Sequence, residues 1–171
     1  MKILILGAGQ VGSSVAANLA SEANDITLVD NDVNLLHELR DRLDIQTVAG
    51  NAAHPGVLQR AGIEDTDMLI AVTNSDETNM IACQVAWTLH HTPTKIARIR
   101  SSQYLAPPEL FVGNALPIDL LLSPDEIVTN SSRNITRHPG ALHVPDFAGG
   151  RAVLVVLHAS SAGHLVGHAS R

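Results

Sequence analysis

The turn Gly7-Ala8-Gly9-Gln10-Val11-Gly12 carries three glycines at the spacing of a dinucleotide fingerprint. In that pattern Gly7 permits a tight turn, Gly9 lets a pyrophosphate approach the backbone, and Gly12 lets the following helix pack closely on the strand. The helix that begins here offers free N–H groups and a partial positive charge to phosphate. Asp30 follows about twenty residues later, where a carboxylate accepts hydrogen bonds from ribose hydroxyls. A carboxylate there repels a 2′-phosphate, so the pattern favours NAD over NADP. Glycines at this spacing recur by chance. The signal gains weight because a strand precedes the turn, a helix follows it and Asp30 ends the next strand.

In an open α/β sheet, ligands lie at the carboxyl ends of the strands. Three further groups fall at such ends: Gly50-Asn51-Ala52, Thr73-Asn74, and Arg98 with Arg100. Thr73 and Asn74 can hydrogen-bond a ribose or an adenine edge. Equally, Asn74 or Ser75 can cap the next helix. Arg98 can offer its guanidinium to a phosphate or ribose, or form a salt bridge to one of the nearby acids.

The elements that must position these residues alternate between apolar runs and helical patterns. That order points to a parallel sheet covered on both faces, a Rossmann-like doubly wound α/β fold of about six strands. Strands are predicted at Lys2–Leu6, Asp25–Val29, Ile45–Ala49, Met68–Val72, Lys95–Ile99 and Asp119–Leu122. Helices are predicted at Val11–Glu22, Asn34–Leu43, Pro55–Ala61 and Asp76–Leu89. The segment 101–117, with Pro107, Pro108 and Pro117, reads as loop with one short helix. Ser123-Pro124-Asp125-Glu126 is a strong helix start, and that helix should stop before Pro139. Ala141–Val144 and Ala152–Leu157 read as strands of a small antiparallel element. The organisation expected is therefore a binding domain over 1–122, a crossover or dimerisation helix over 123–140, and the start of another subdomain over 141–171.

Composition narrows the chemistry. The net charge of -6 argues against nucleic acid as a partner, because phosphate backbones need basic patches. The one cysteine, Cys83, sits in an apolar helical stretch and reads as a core residue in a reducing compartment. A dehydrogenase needs a proton donor or acceptor beside the nicotinamide. The nine histidines offer poor candidates: His54 precedes a proline, His90 and His91 end a helix, and His164 and His168 lie among glycines. The glycines argue against a helical metal pair there. No leader-type or membrane-spanning apolar run is present, so the expected location is the cytoplasm. The residues thus favour binding over catalysis. The coenzyme half of an NAD-dependent dehydrogenase or epimerase is the alternative.

Five runs carry a family resemblance: Met1 to Gly12, Asp25 to Asp30, Gly50 to Pro55 and, more specific than the glycine turn, Ala71 to Met80 and Lys95 to Arg100. Together they resemble the RCK, or KTN, regulatory domains of potassium channels and transporters, at the N-terminal portion of the TrkA family. The resemblance runs from Met1 to about Gly149. It implies a Rossmann-like domain that binds NAD or NADH, and in some members ATP or ADP, with no reaction of its own. It places nucleotide contacts on Gly7, Ala8, Gly9, Gln10, Val11, Gly12, Asp30, Thr73, Asn74 and Arg98. It leaves the role of Asn51 less certain, because members often carry another polar or acidic residue there. It implies two partners, a Trk-type membrane subunit and further copies of itself, and so a place at the inner face of the membrane. It also implies a longer parent protein, of which this chain is a fragment or a truncated member.

Overall fold

Apolar side chains fill both faces of the central strands, which is why those strands read as continuous apolar runs. The computed structural model describes residues 1–112 and 115–123 in full, and the backbone of 141–143, 146–147, 152–153 and 156–157. Its first unit is Met1–Ser123 and its second is Pro124–Arg171.

The first unit holds strands β1 (Lys2–Leu6), β2 (Asp25–Asp30), β3 (Gln46–Ala49), β4 (Met68–Ala71), β5 (Thr94–Arg98) and β6 (Leu120–Leu122). They form one sheet in the order β3-β2-β1-β4-β5-β6, and every pairing is parallel. The helices are α1 (Gln10–Ala20), α2 (Val33–Arg42), α3 (Pro55–Arg60), α4 (Asp76–His90) and α5 (Ser102–Leu105). This is the Rossmann-like doubly wound sheet expected from the sequence, with strand order reversing between β1 and β4.

Alternation along β1 divides the core. Ile3 and Ile5 pack with Ala16 of α1 and with Leu36 and Leu39 of α2. Leu4 and Leu6 pack with Val57 and Leu58 of α3 and with Ala82, Cys83 and Ala86 of α4. All of these side chains are buried.

Helix ends differ by a residue or two from the sequence expectation. α1 stops at Ala20 rather than reaching Glu22, and the chain turns through Ala23 at φ 57° before β2. α2 begins at Val33 because Asp32 accepts the N–H groups of Asn34 and Leu35 at 3.0 and 3.1 Å. Segment 101–117 contains α5 and a 3-10 turn at Pro108–Phe111 rather than one short helix.

Lys95 is only 2% exposed although it is the second residue of β5, near the sheet's amino edge. Its ammonium meets Asp119 Oδ2 at 2.8 Å and donates to the carbonyls of Thr92 at 3.0 Å and Pro93 at 3.3 Å. It also lies 5.0 Å from the centre of the Trp87 ring. Three acceptors and a ring face compensate the desolvation of the charge.

Cys83 is fully buried in α4, as the sequence suggested. Burial is the main cause pushing its thiol up to about 12. We expect no reaction with a thiol reagent at pH 8 in the native state, and one thiol per chain after denaturation. The stability linked to this group is intact below its unfolded value of about 9.0 and falls as pH rises toward 12. A thiol titrating at pH 8 in the folded protein would contradict this packing.

In the second unit, β7 (Ala141–His143) pairs antiparallel with β10 (Val156–Leu157), and β8 (Asp146–Phe147) with β9 (Ala152–Val153). The antiparallel character matches expectation, although 152–157 forms two short strands rather than one run. The helix predicted from Ser123, and the pair His164 and His168, fall on residues outside those described.

Candidate functional site

Strand β1 ends at Leu6, and the chain must then reverse into α1 beneath the end of β4. Gly7 makes this possible, with φ +100° and a Cα so close to β4 that a Cβ would lie 2.8 Å from the Thr73 Cα. Gly12 lies one turn into α1, where an added Cβ would fall 1.7 Å from the carbonyl oxygen of Gly7. These two glycines serve the packing of turn and helix.

Gly9 differs from both. Its backbone is ordinary extended chain (φ -62°, ψ -172°), and an added Cβ would meet nothing within 4 Å. Gly9 is also the N-cap of α1, and no side chain caps the helix there. No acidic residue occupies its first turn. The first N–H groups of α1 therefore point into open space with no carboxylate competing for them.

Asp30, at the end of β2, faces this turn. Its Oδ2 accepts the N–H of Ala8 at 2.6 Å, and its Oδ1 accepts the N–H of Asp32 at 2.9 Å. Each oxygen keeps a further lone pair for a hydroxyl donor. The carboxylate is thus fixed by the glycine turn on one side and by the start of α2 on the other.

A cavity of about 410 Å³ opens between these elements at the carboxyl edge of the sheet. Gly7, Gly9, Gln10 and Val11 line it from the turn, and Asp30 lines it from β2. Asn51, Thr73, Asn74 and Arg98 line it from the ends of β3, β4 and β5. The structure thus brings together nine of the eleven residues named from sequence. Ala8 and Gly12 lie just behind the surface, the first holding Asp30 and the second holding α1.

Several of these side chains are engaged within the protein. Thr73 Oγ1 donates to Asn79 Oδ1 at 2.7 Å, and the Thr73 N–H donates to the same oxygen at 3.0 Å. Ser75, not Asn74, caps α4, its Oγ accepting the N–H of Thr78 at 3.1 Å. Arg98 Nη2 donates to the carbonyl of Thr73 at 2.6 Å rather than to an acid. Burial, and then the nearby Arg100 cation, lower the Arg98 guanidinium from its ordinary value, while Asp76 opposes them. Arg98 Nε is buried with no hydrogen-bond partner among the described residues. Asn51 Oδ1 accepts the N–H of Ala53 at 2.9 Å.

Sequence reading missed Asn31, Asp32 and Thr78 as lining residues. Asp32 carried a usable signal, an aspartate directly before an apolar-periodic segment. It also missed Asn79, which is fully buried and ties Thr73 to β5 by donating to the carbonyl of Arg98 at 2.8 Å.

Fold and cavity together define a class: a Rossmann-like domain whose glycine turn, open helix N-terminus and fixed carboxylate are arranged as in dinucleotide-binding domains. The family model described as TrkA-N domain matches residues 3–122, and the chain belongs to that family. It is 59% identical over 167 residues to the Trk system potassium uptake protein TrkA of Halomonas elongata, covering 98% of this chain and 36% of that protein. It is 54% identical over 170 residues to the protein of the same name from Vibrio alginolyticus, covering 99% of this chain and 37% of that one. The chain thus spans little more than a third of these relatives. Among solved structures, the TrkA-N domain of the inner membrane protein ybaL from Escherichia coli is similar, with TM-score 0.65 and 22% identity. That likeness covers 75% of this chain and 91% of that one. The GsuK structure bound to ADP aligns with TM-score 0.63 and 25% identity, covering 80% of this chain and 34% of that one. The GsuK channel bound to NAD aligns with TM-score 0.63 and 19% identity, covering 78% and 23%.

Proposed function

We propose that this chain is the nucleotide-sensing part of a potassium-uptake regulator, binding NAD or NADH, with ATP or ADP as further ligands, and catalysing no reaction itself. The observation that carries this reading is the uncapped start of α1 at Gly9, open above and faced by Asp30. The pyrophosphate would lie on the N–H groups of 10–12. A ribose would donate to the remaining lone pairs of Asp30. Arg98, with its buried free Nε, and Asn51 would contact the rest of the nucleotide.

The names of the Halomonas and Vibrio relatives support potassium uptake as the process. In this reading the chain works at the inner face of the membrane, against a Trk-type membrane subunit and alongside further copies of itself. Among the described residues no helix is long and apolar enough to cross a membrane, so the transport path would belong to the partner. Bound nucleotide would act by shifting the population of two domain arrangements, and only as far as its affinities for the two differ.

Calorimetric titration with NAD, NADH, NADP, ATP and ADP tests the ligand. NADP should bind at least tenfold more weakly than NAD, because Asp30 repels a 2′-phosphate. Asp30→Ala should weaken NAD by about tenfold to a hundredfold, the range for hydrogen bonds to a charged acceptor. Equal binding of NADP and NAD by the parent protein would refute the role given to Asp30.

A further inference from the structure

The β2 side of the cavity holds two carboxylates, not one. Asp30 lines it from the end of β2 and Asp32 from the start of α2. The chain ties them together, because the N–H of Asp32 donates to Asp30 Oδ1 at 2.9 Å. Asp32 Oδ1 in turn accepts the N–H groups of Asn34 and Leu35, which fixes its side chain over the first turn of α2. Asp30 is held on its other side by the N–H of Ala8. All of these donors are neutral backbone groups. Among the described residues, neither carboxylate has an ion-pair partner.

Where a site of this fold accepts a 2′-phosphate, an arginine nearby answers it. Here the chain after Asp30 reads Asn31, Asp32, Val33, Asn34 and Leu35, and the arginines of α2, Arg40 and Arg42, stand in its last turn. The cap at Asp32 also takes the N–H groups of α2 that a phosphate could otherwise use. Among the described residues that line the cavity, Arg98 is the one cation. It ends β5, three places from β2 in the sheet, a separation of roughly 14 Å at the usual strand spacing. That is beyond the screening length of about 8 Å for exposed charges at physiological salt. A 2′-phosphate beside Asp30 would therefore meet two carboxylates and no compensating cation.

We infer that Asp32 is a second specificity-determining residue, which together with Asp30 restricts the cavity to nucleotides whose ribose carries no 2′-phosphate. Asp30 both binds the ribose and repels the phosphate, and Asp32 repels only. Neutralising Asp30 alone therefore leaves the site selective against NADP. This rests on the reading above that the cavity takes a nucleotide with a ribose at Asp30, and it deepens that reading by giving Asp32 a role in choosing the ligand.

Calorimetric titration of the full chain and its variants with NAD and NADP tests it, read as the ratio of the two dissociation constants. Asparagine caps a helix as well as aspartate does, so Asp32→Asn removes the charge and keeps the cap. This variant should lower the parent's preference for NAD by about threefold or more. Asp30→Asn alone should still bind NADP about fivefold more weakly than NAD, and the double variant Asp30→Asn/Asp32→Asn should bring the two within about twofold. Raising NaCl from about 50 mM to about 500 mM should shrink the preference in the parent and leave the double variant unmoved, as screened repulsion requires. A parent ratio retained in Asp32→Asn, or equal binding of NAD and NADP by Asp30→Asn alone, would remove Asp32 from the account and leave the nucleotide reading standing. Should Asp32→Asn not fold, Asp32→Ser supplies another uncharged cap, and the same ratio decides. If the parent bound neither NAD nor NADP, the nucleotide reading itself would fall, and the inference with it.

Discussion

Gly9→Ser is expected to weaken nucleotide binding about a hundredfold while leaving thermal stability unchanged or slightly raised. The fold does not need glycine at this position. The backbone is extended with negative φ, and a Cβ would touch nothing within 4 Å. Serine is also a better N-cap than glycine, by a few tenths of a kcal/mol. The gain comes from its hydroxyl accepting one of the free N–H groups at the start of α1, and those are the groups a pyrophosphate needs. A charge-assisted hydrogen bond of this kind is worth about 1.5–3 kcal/mol, and a tenfold change in affinity corresponds to about 1.4 kcal/mol. Calorimetry and a thermal melt on the same sample separate the two effects. Parent-like NAD affinity in a folded Gly9→Ser protein would remove the pyrophosphate from this turn. By contrast, alanine at Gly12 would strike the Gly7 carbonyl and harm folding first.

The second large effect concerns stability. Asn79→Ala should destabilise the domain by about 2–4 kcal/mol, because it leaves several buried polar groups without partners. Asn79 Oδ1 accepts both the N–H and the hydroxyl of Thr73, and Nδ2 donates to the carbonyl of Arg98. The side chain is fully buried, so water does not replace these bonds without opening the loop. For a domain of this size the melting temperature should fall by roughly 10 °C. Urea unfolding should show a lower midpoint at unchanged slope. A loss below about 0.5 kcal/mol would mean that Thr73 and Arg98 find other partners, and that the amide is not what ties the Thr73 turn to β5.

What was legible in the sequence follows from what is local. Apolar runs located all six strands, because a strand covered on both faces has few polar positions to hide it. The glycine turn was legible because Gly7, Gly9 and Gly12 answer three distinct demands a few residues apart. Asp30 was legible because the strand ahead of it sets the distance. The unread features join distant segments. Asp76 meets Arg100, Asn79 meets Arg98, and Lys95 meets Asp119, each pair about twenty residues apart across a strand boundary. No periodicity within one element announces such a pair. Arg98 shows the limit most clearly. An arginine at a strand end suggests a phosphate or a carboxylate partner, and the structure gives it a backbone carbonyl.

The central place of β1 also governs the order in which the chain can fold. The N–H of Lys2 reaches Asp67, and β1 pairs with β4 along its length, across some 65 residues of intervening sequence. During synthesis, β1, β2 and β3 with α1 and α2 can assemble early from neighbouring contacts. The apolar face formed by Leu4 and Leu6 then waits for α3, β4 and α4 to emerge. Closing that long loop gives the β1–β4 pairing a higher entropic cost than the β1–β2 and β2–β3 pairings. A nascent chain halted before Met68 would carry half a core and one bare sheet face, a natural target for chaperones.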